Sequence, residues 1–351
     1  MSSLLHEKLQ SVSNRFAKNP LTSALTVRIE TQSGDQFFYS KDAIDHPAFI
    51  ASSTKTFISE LYLQLSENGQ IDLDSPLTHY LPESELRGLN TFGNHDNFEK
   101  LTARQLLRNT SGIPDYYRSK ALKPGKNIAE RTASDPGWSY QEALEIARSK
   151  RSIFEPGAGV QYSFTNFQIL SELSERILSE PLGTTLKQKI FSKLNLNDTY
   201  LFTRQDSNLF ETISPLLYGK QSYLGANRMA SLRGEGGIVS TTADTLKFFK
   251  EFVEKRVNGN NSSELLGETR KLYPGVEYGQ GIMKIDFPIG LAGFRKLPGA
   301  VGHLGATGHF MVFVPTLGAY IVGTVNQLAN PLLGVRLLAN LVAALQKHTR
   351  V

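Results

Sequence analysis

Ser52 and Lys55 stand three residues apart in Ile50-Ala51-Ser52-Ser53-Thr54-Lys55-Thr56-Phe57, and their chemistry is complementary. A serine hydroxyl is a weak nucleophile until a base lies within hydrogen-bond reach, and a lysine is such a base once its pKa is lowered. In a helix, three residues is close to one turn. Both side chains would then share a face beside the free N–H groups of the helix start. Phe57, Ile58, Leu61 and Leu65 supply an apolar stripe at helical spacing, which predicts a buried helix, and Asn68-Gly69 predicts its end. The spacing alone carries little weight. Ser-x-x-Lys recurs by chance about twice in a chain of this composition, and a serine N-cap before a surface lysine explains it as well.

Elements able to position such a pair can be read on either side of it. Leu5, Leu9, Val12 and Phe16 predict an amphipathic helix ending near Asn19-Pro20. Residues 24–30 and 36–40 are rich in β-formers, flank Ser33-Gly34-Asp35, and predict a hairpin. From about residue 82 to 227 strand signals are scarce. Helices are expected over 101–107, with Thr102 as N-cap, and over 141–150 and 167–178. Loops such as Ser111-Gly112-Ile113-Pro114 and Asp135-Pro136-Gly137 separate them. Beyond Gly236-Gly237 a helix is expected over 242–253. Short strands should follow over 278–285, 301–305, 310–314 and 319–326, then a last helix over 330–346. Strands at both ends of the chain predict one sheet closed by distant segments.

The bulk numbers exclude several functions. The 351 residues carry 38 basic and 33 acidic side chains, a net charge of +5, with the signs interspersed and no basic cluster to serve as a nucleic-acid footprint. With no cysteine, disulfides, thiol catalysis and cysteine-based zinc sites are excluded. Seven scattered histidines predict no metal site, and no cofactor is expected. The first residues lack the apolar core of a signal peptide, and no stretch reaches a membrane span, so a cytoplasmic chain with no membrane partner is expected. A nucleophile elbow, a P-loop, a dinucleotide glycine fingerprint and a His-Glu-x-x-His motif are all missing from the sequence.

Three further segments favour the nucleophile: Pro156-Gly157-Ala158-Gly159-Val160-Gln161-Tyr162-Ser163-Phe164-Thr165-Asn166-Phe167, Gly236-Gly237-Ile238-Val239-Ser240-Thr241, and Val301-Gly302-His303-Leu304-Gly305-Ala306-Thr307-Gly308. With residues 50–57 they resemble, in order, the serine β-lactamase-like hydrolases, a family of class C β-lactamases, D-alanyl-D-alanine carboxypeptidases, D-aminopeptidases and esterases. Leu106-Leu107, then Thr110-Ser111-Gly112-Ile113-Pro114-Asp115-Tyr116, and later Tyr278-Gly279-Gln280-Gly281 extend the likeness over roughly residues 20–347. The resemblance implies an α/β fold in which an antiparallel sheet is flanked by helices as an α/β/α sandwich (residues 1–81 and 228–351), with an all-helical insertion at 82–227. It implies Ser52 as the acylated nucleophile and Lys55 as its base. Tyr162 would pass a proton to the leaving group, and His303-Leu304-Gly305 would form the third motif. The backbone N–H groups of Ser52 and Ala306 would form an oxyanion hole, with each donor worth about 3–4 kcal/mol to the transition state. A tyrosine beside Lys55 is expected to have a lowered pKa. Gly302 and Gly305 suit a strand approached by a substrate backbone. Tyr116 and Tyr117 are expected at the pocket mouth, and Trp138 in packing or a lid.

Two positions depart from the family pattern. Phe164 stands where Tyr-x-Asn has its asparagine and cannot hydrogen-bond a substrate amide. His303 stands where many members have lysine, and it is only partly charged near neutrality. Both changes move the pocket, with Phe164, Leu304, Gly305 and Tyr116 as its contacts, toward uncharged acyl groups. The expected activity is an esterase or amidase acting on small ester, amide or peptide substrates through an acyl-enzyme. The alternatives are a D-amino-acid-specific peptidase, amidase or carboxypeptidase, an acyltransferase, and a non-hydrolytic sensor with the same fold.

Overall fold

The computed structural model describes residues 1–117, 136–223, 225–257, 266–293 and 296–348. Helix α1 (Ser3–Ala17) is capped by Ser2, whose hydroxyl accepts from the Leu5 N–H. Strands β1 (Thr26–Thr31) and β2 (Gln36–Ser40) form the expected hairpin. Strand β3 (Arg270–Tyr273), β4 (Val276–Tyr278), β5 (Met283–Ile285), β6 (Ala300–Leu304), β7 (Phe310–Val314) and β8 (Ala319–Thr324) complete an antiparallel sheet in the order β3-β4-β5-β6-β7-β8-β1-β2. The sheet closes where β1 pairs with β8, Thr26 opposite Thr324.

The sheet divides the core in two. Leu9, Val12, Leu337 and Leu341 pack with Val27, Ile29, Val312 and Ile321 on one face, under α1 and the last helix, α7 (Leu332–His348). On the other face Met311, Phe313, Tyr320 and Val322 join the apolar side of α2 (Thr54–Glu67) and the helices beyond it. Alternation along β7 and β8 sends successive side chains into opposite cores, which is why both strands are buried at every position. Between residues 82 and 227 lie α3 (Ala103–Leu107), with a Thr102–Gln105 capping box, then α4 (Tyr140–Arg148) and α5 (Phe164–Leu178). The segment also holds two-residue strands, and Tyr200–Leu201 pairs with Ile238–Ser240, which in turn pairs with Ala48–Phe49. Helix α6 (Thr242–Phe252) starts on Thr241, whose hydroxyl caps Asp244. Of the expected loop at 135–137, residue 135 lies outside the described residues.

One expected strand is instead a hairpin. Residues 278–285 split into β4 and β5 because Gly281 takes φ +67° and Gly279 N–H donates to the Ile282 carbonyl at 2.8 Å. The turn is seated on α2: Thr56 Oγ1 donates to the Gly281 carbonyl at 2.9 Å and Ser59 Oγ to the Gln280 carbonyl at 2.8 Å. Strand β3 had no clear sequence signal, since only Leu272 and Tyr273 in it are apolar and it lies at the sheet edge.

Candidate active site

The helix expected to start on Ser52 becomes an α-helix two residues later, at Thr54. Residues Ala51–Ser53 form a 3-10 turn ahead of α2, and Ala51 sits at φ +47°, a left-handed conformation unusual for a residue with a Cβ. Neighbouring strands fix the turn. Ile50 N–H donates to the Ile238 carbonyl at 3.1 Å, and Thr307 Oγ1 donates to the Phe49 carbonyl at 2.9 Å. Such a conformation costs of order 1 kcal/mol and persists only where its surroundings over-determine it.

Ser52 and Lys55 meet as their spacing predicts. Lys55 Nζ lies 3.4 Å from Ser52 Oγ and also donates to the backbone carbonyl of Glu235. Lys55 is fully buried, with its nitrogen over the rings of Phe164 at 4.3 Å, Tyr162 at 5.1 Å and Phe167 at 5.1 Å. Burial in this apolar shell lowers its pKa from 10.5 to about 7, against the opposing pull of Glu235 and Asp115. A surface lysine beside a helix cap is therefore excluded. The pair is a hydroxyl next to an amine that is half unprotonated at neutral pH.

Tyr162 lies in the same cluster, its ring 5.6 Å from Tyr278 and 6.5 Å from His303. Its pKa is raised, not lowered as expected. Burial is the dominant cause, and it outweighs the nearby Ser52 hydroxyl, which acts the other way. No hydrogen bond of ordinary geometry joins the two hydroxyls. Tyr162 is thus a phenol, able to give a proton and not poised to take one. His303 is neutral throughout the physiological range, not partly charged. Burial first, and then Lys55, depress it to about 3. Its Nδ1 lies 3.0 Å from the Leu304 carbonyl, which makes Nδ1 the protonated nitrogen and leaves Nε2 a buried acceptor.

The turn after β6 reaches the nucleophile through Gly305. A Cβ there would stand 2.8 Å from the Ile50 carbonyl and 3.2 Å from Ala51 Cβ. At Gly302 a Cβ would meet the Met311 carbonyl at 2.0 Å. Both glycines are therefore required by contacts within the protein alone. The turn is tied back by Gly305 N–H to the His309 carbonyl at 2.7 Å, and by Ser53 Oγ to His309 Nδ1 at 2.9 Å. Ala306, at its tip, lines a cavity of about 50 Å³ together with Ser52, Phe164, Tyr117, Trp138 and Tyr223. Leu304 and Gly305 are not among the cavity's lining residues.

Phe164 opens α5 where the family pattern has an asparagine, and it stacks on Tyr117 with centroids 4.6 Å apart. Tyr117 in turn meets Trp138 edge-on at 5.7 Å, giving the cavity an aromatic wall. Asn166 does not replace the missing amide: its Nδ2 donates to Asn109 Oδ1 at 2.9 Å and its Oδ1 accepts from Ser111 at 2.7 Å. Tyr116 is not at the mouth of the cavity. It is fully buried behind the wall, and its hydroxyl donates to Glu235 Oε1. Only Tyr117 of the pair lines the cavity.

Glu235 was missed in the sequence. It is 0% exposed, lines the cavity, and burial holds its carboxyl well above the usual range despite Lys55 nearby. The available signal was a lone acidic residue among glycines, Arg233-Gly234-Glu235-Gly236-Gly237. A larger cavity of about 310 Å³ lies at the other end of α2, lined by residues such as Glu60, Glu67, Lys193 and Phe252. It holds no serine beside a base. Among the described residues no group of three His, Asp or Glu side chains is arranged to hold a metal ion, and no helix is long and apolar enough to cross a membrane.

Comparison with known proteins agrees with this architecture. D-amino acid amidase from Ochrobactrum anthropi SV3 superimposes with a TM-score of 0.77 at 20% identity, covering 98% of this chain and 99% of that one. The D-alanyl-D-alanine-carboxypeptidase/endopeptidase AmpH of Escherichia coli (strain K12) is 22% identical over 314 residues, 84% of this chain and 74% of AmpH. Esterase EstB of Burkholderia gladioli is 28% identical over 155 residues, 42% of this chain and 37% of EstB. The chain spans about half the length of other curated relatives, 49% and 51% in two Bacillus subtilis proteins. Residues 42–345 match the family described as Beta-lactamase, and this chain belongs to that family of hydrolases, whose relatives include peptidases, amidases, esterases and acyltransferases.

Proposed function

We propose that this protein is a serine hydrolase that forms an acyl-enzyme on Ser52 and acts on small esters or amides. The observation that carries the reading is Lys55. It is buried, lies 3.4 Å from Ser52 Oγ, and has a pKa of about 7, so that the unprotonated amine is abundant at neutral pH. Lys55 takes the Ser52 proton as Oγ bonds to the substrate carbonyl carbon. The developing oxyanion is held by the backbone N–H groups of Ser52 and Ala306, two residues that line one cavity. Collapse of the tetrahedral adduct breaks the bond to the leaving group. That group takes a proton from Tyr162, which recovers one from Lys55. Water then attacks the acyl carbonyl by the same steps in reverse, restoring Ser52. Tyr162 suits this role because burial keeps it protonated until the leaving group needs the proton.

The aromatic, small cavity favours a compact acyl group over an extended peptide. A second reading, a D-amino-acid amidase, is supported by the likeness to the Ochrobactrum anthropi enzyme over nearly the full chain. The test is intact-mass analysis with a fluorophosphonate and with p-nitrophenyl butyrate. One adduct should form on the wild-type protein, map to Ser52, and be lost in Ser52→Ala. Undiminished ester hydrolysis by Ser52→Ala would refute the proposal.

A further inference from the structure

The cavity at the far end of α2 is lined by two sets of charges, and only one set is already met. On the α2 side, Arg256 is 1% exposed and serves both glutamates: its Nε and Nη2 donate to Glu60 at 2.7 and 3.1 Å, and its Nη2 donates to Glu67 at 3.1 Å. Lys255 adds a second cation, 3.7 Å from Glu60 and 4.0 Å from Glu67. Gln64 Nε2 is committed to Glu60 Oε1 at 2.8 Å. The carbonyls of Gln64, Leu65 and Ser66 accept from the N–H groups of Asn68, Gln70 and Gly69, so the helix end offers no open acceptor for a cation. This side is complete without a ligand. Lys189 and Lys193 are not: among the described residues, neither ammonium has an ion-pair or hydrogen-bond partner. Three lysines and three glutamates line the cavity, and Arg256 beneath them leaves one positive charge in excess. Ile190, Leu194, Phe248 and Phe252 supply an apolar surface. The rim is open to solvent, with the Lys255 and Glu67 side chains 46% and 42% exposed.

The backbone marks the same place. Two π turns occur among the described residues, Lys187–Phe191 and Val253–Val257, and both border this cavity. The first contributes Lys189 and Ile190, and the second contributes Lys255. Such turns are rare and recur at functional sites. We propose that this cavity is a second ligand site, for a small monocarboxylate with an apolar body, its carboxylate held by Lys189 and Lys193 and its body lying on Phe248 and Phe252. A single negative charge matches the surplus, whereas a cation would meet two lysines with nothing to offset them. The volume of about 310 Å³ falls at the small end of the usual ligand-site range, about 300–1,000 Å³. At about 1.5 Å per residue, Glu60 and Glu67 lie roughly 10–20 Å along the helix from Ser52. The site is therefore separate from the candidate active site, and the inference does not depend on Ser52 being acylated.

The test is isothermal titration calorimetry of the full chain with octanoate, with acetate and octylammonium as comparisons. Octanoate should bind with a Kd of about 1 mM or tighter. Acetate, which lacks the apolar body, and octylammonium, which reverses the charge, should each bind at least about tenfold more weakly. Octanoate should bind the double variant Lys189→Ala, Lys193→Ala about fivefold more weakly, roughly the effect of losing two partly exposed ion pairs. One of these lysines is half-buried and the other exposed, so the variant should keep the wild-type Tm in the absence of ligand. Failure of octanoate to bind the wild type overturns the proposal. So does equal affinity in the double variant, which places octanoate elsewhere on the protein, the candidate active site included. Acetate or octylammonium binding as tightly as octanoate overturns it as well. None of these outcomes bears on the Ser52 reading, which the labelling experiment decides separately.

Discussion

Lys55 should be a residue that weakens the fold it serves. Its pKa is about 7 in the folded protein against 10.5 for an ordinary lysine, so the unfolded chain binds the extra proton between those values. For a group with a depressed folded pKa, stability is complete above the unfolded pKa and is lost as the pH falls toward the folded one. The window here runs from 10.5 down to about 7. Integrating the proton difference gives a penalty of about 4 kcal/mol at pH 7 and about 1 kcal/mol at pH 9.5. Lys55→Met keeps most of the side-chain volume and removes the titration. It forfeits the bonds to Ser52 and to the Glu235 carbonyl, together about 1–2 kcal/mol. The variant should therefore be more stable than the wild type by about 2–3 kcal/mol at pH 7, with the advantage shrinking by about 3 kcal/mol at pH 9.5. Urea unfolding of both proteins at the two pH values measures this directly, with equal m-values as the control. Fluorophosphonate labelling of the variant should be lost. If Lys55→Met is less stable than the wild type at pH 7 and the gap does not change with pH, Lys55 is not held neutral by burial and the proposed base is lost with it.

The acidic limb of kcat/KM for an activated ester should fall about tenfold per pH unit below about 7, because only unprotonated Lys55 accepts the Ser52 proton. Phe164→Asn, which replaces the ring centred 4.3 Å from Lys55 Nζ with a polar amide, should move the limb to higher pH. His303 and His309 are both buried near pKa 3 instead of 6.5, so each loses about 2 kcal/mol of stability between pH 7 and pH 5. His309→Leu should halve that acid sensitivity in urea titrations. By leaving Ser53 Oγ without its 2.9 Å partner, it should also slow acylation by loosening the turn that carries Ala306.

What the sequence disclosed follows the range of the interactions involved. Ser52 and Lys55 are one turn apart, Thr102 caps the residue three ahead of it, and the pattern of β7 and β8 is continuous; each is a local signal. Tyr162 and His303 were found through their order along the chain, which places them without saying how they ionise. Their charge states were misjudged for one reason. Spacing does not report burial, and burial is the largest influence on both pKa values. Glu235 and His309 act across 180 and 256 residues, through contacts that exist only after the sheet and α2 have met. The strand expected over 278–285 failed at Gly281, whose φ of +67° reverses the chain.

The pairing of β1 with β8 has a consequence for the order of events during synthesis. Ser52 and Lys55 leave the ribosome early, but β8 and the turn bearing Ala306 follow some 250–270 residues later. At about 5–20 residues per second that is an interval of roughly 12–50 seconds in which the chain has a serine and a lysine but no closed sheet. The hydrophobic shell that lowers the lysine pKa is also incomplete, since Tyr162, Phe164 and Phe167 must first arrive. The candidate site is thus incomplete until β8 pairs with β1. Helices α1 and α7 then lie together on one face of the sheet, joined by Arg15 and Asn340 at 2.7 Å.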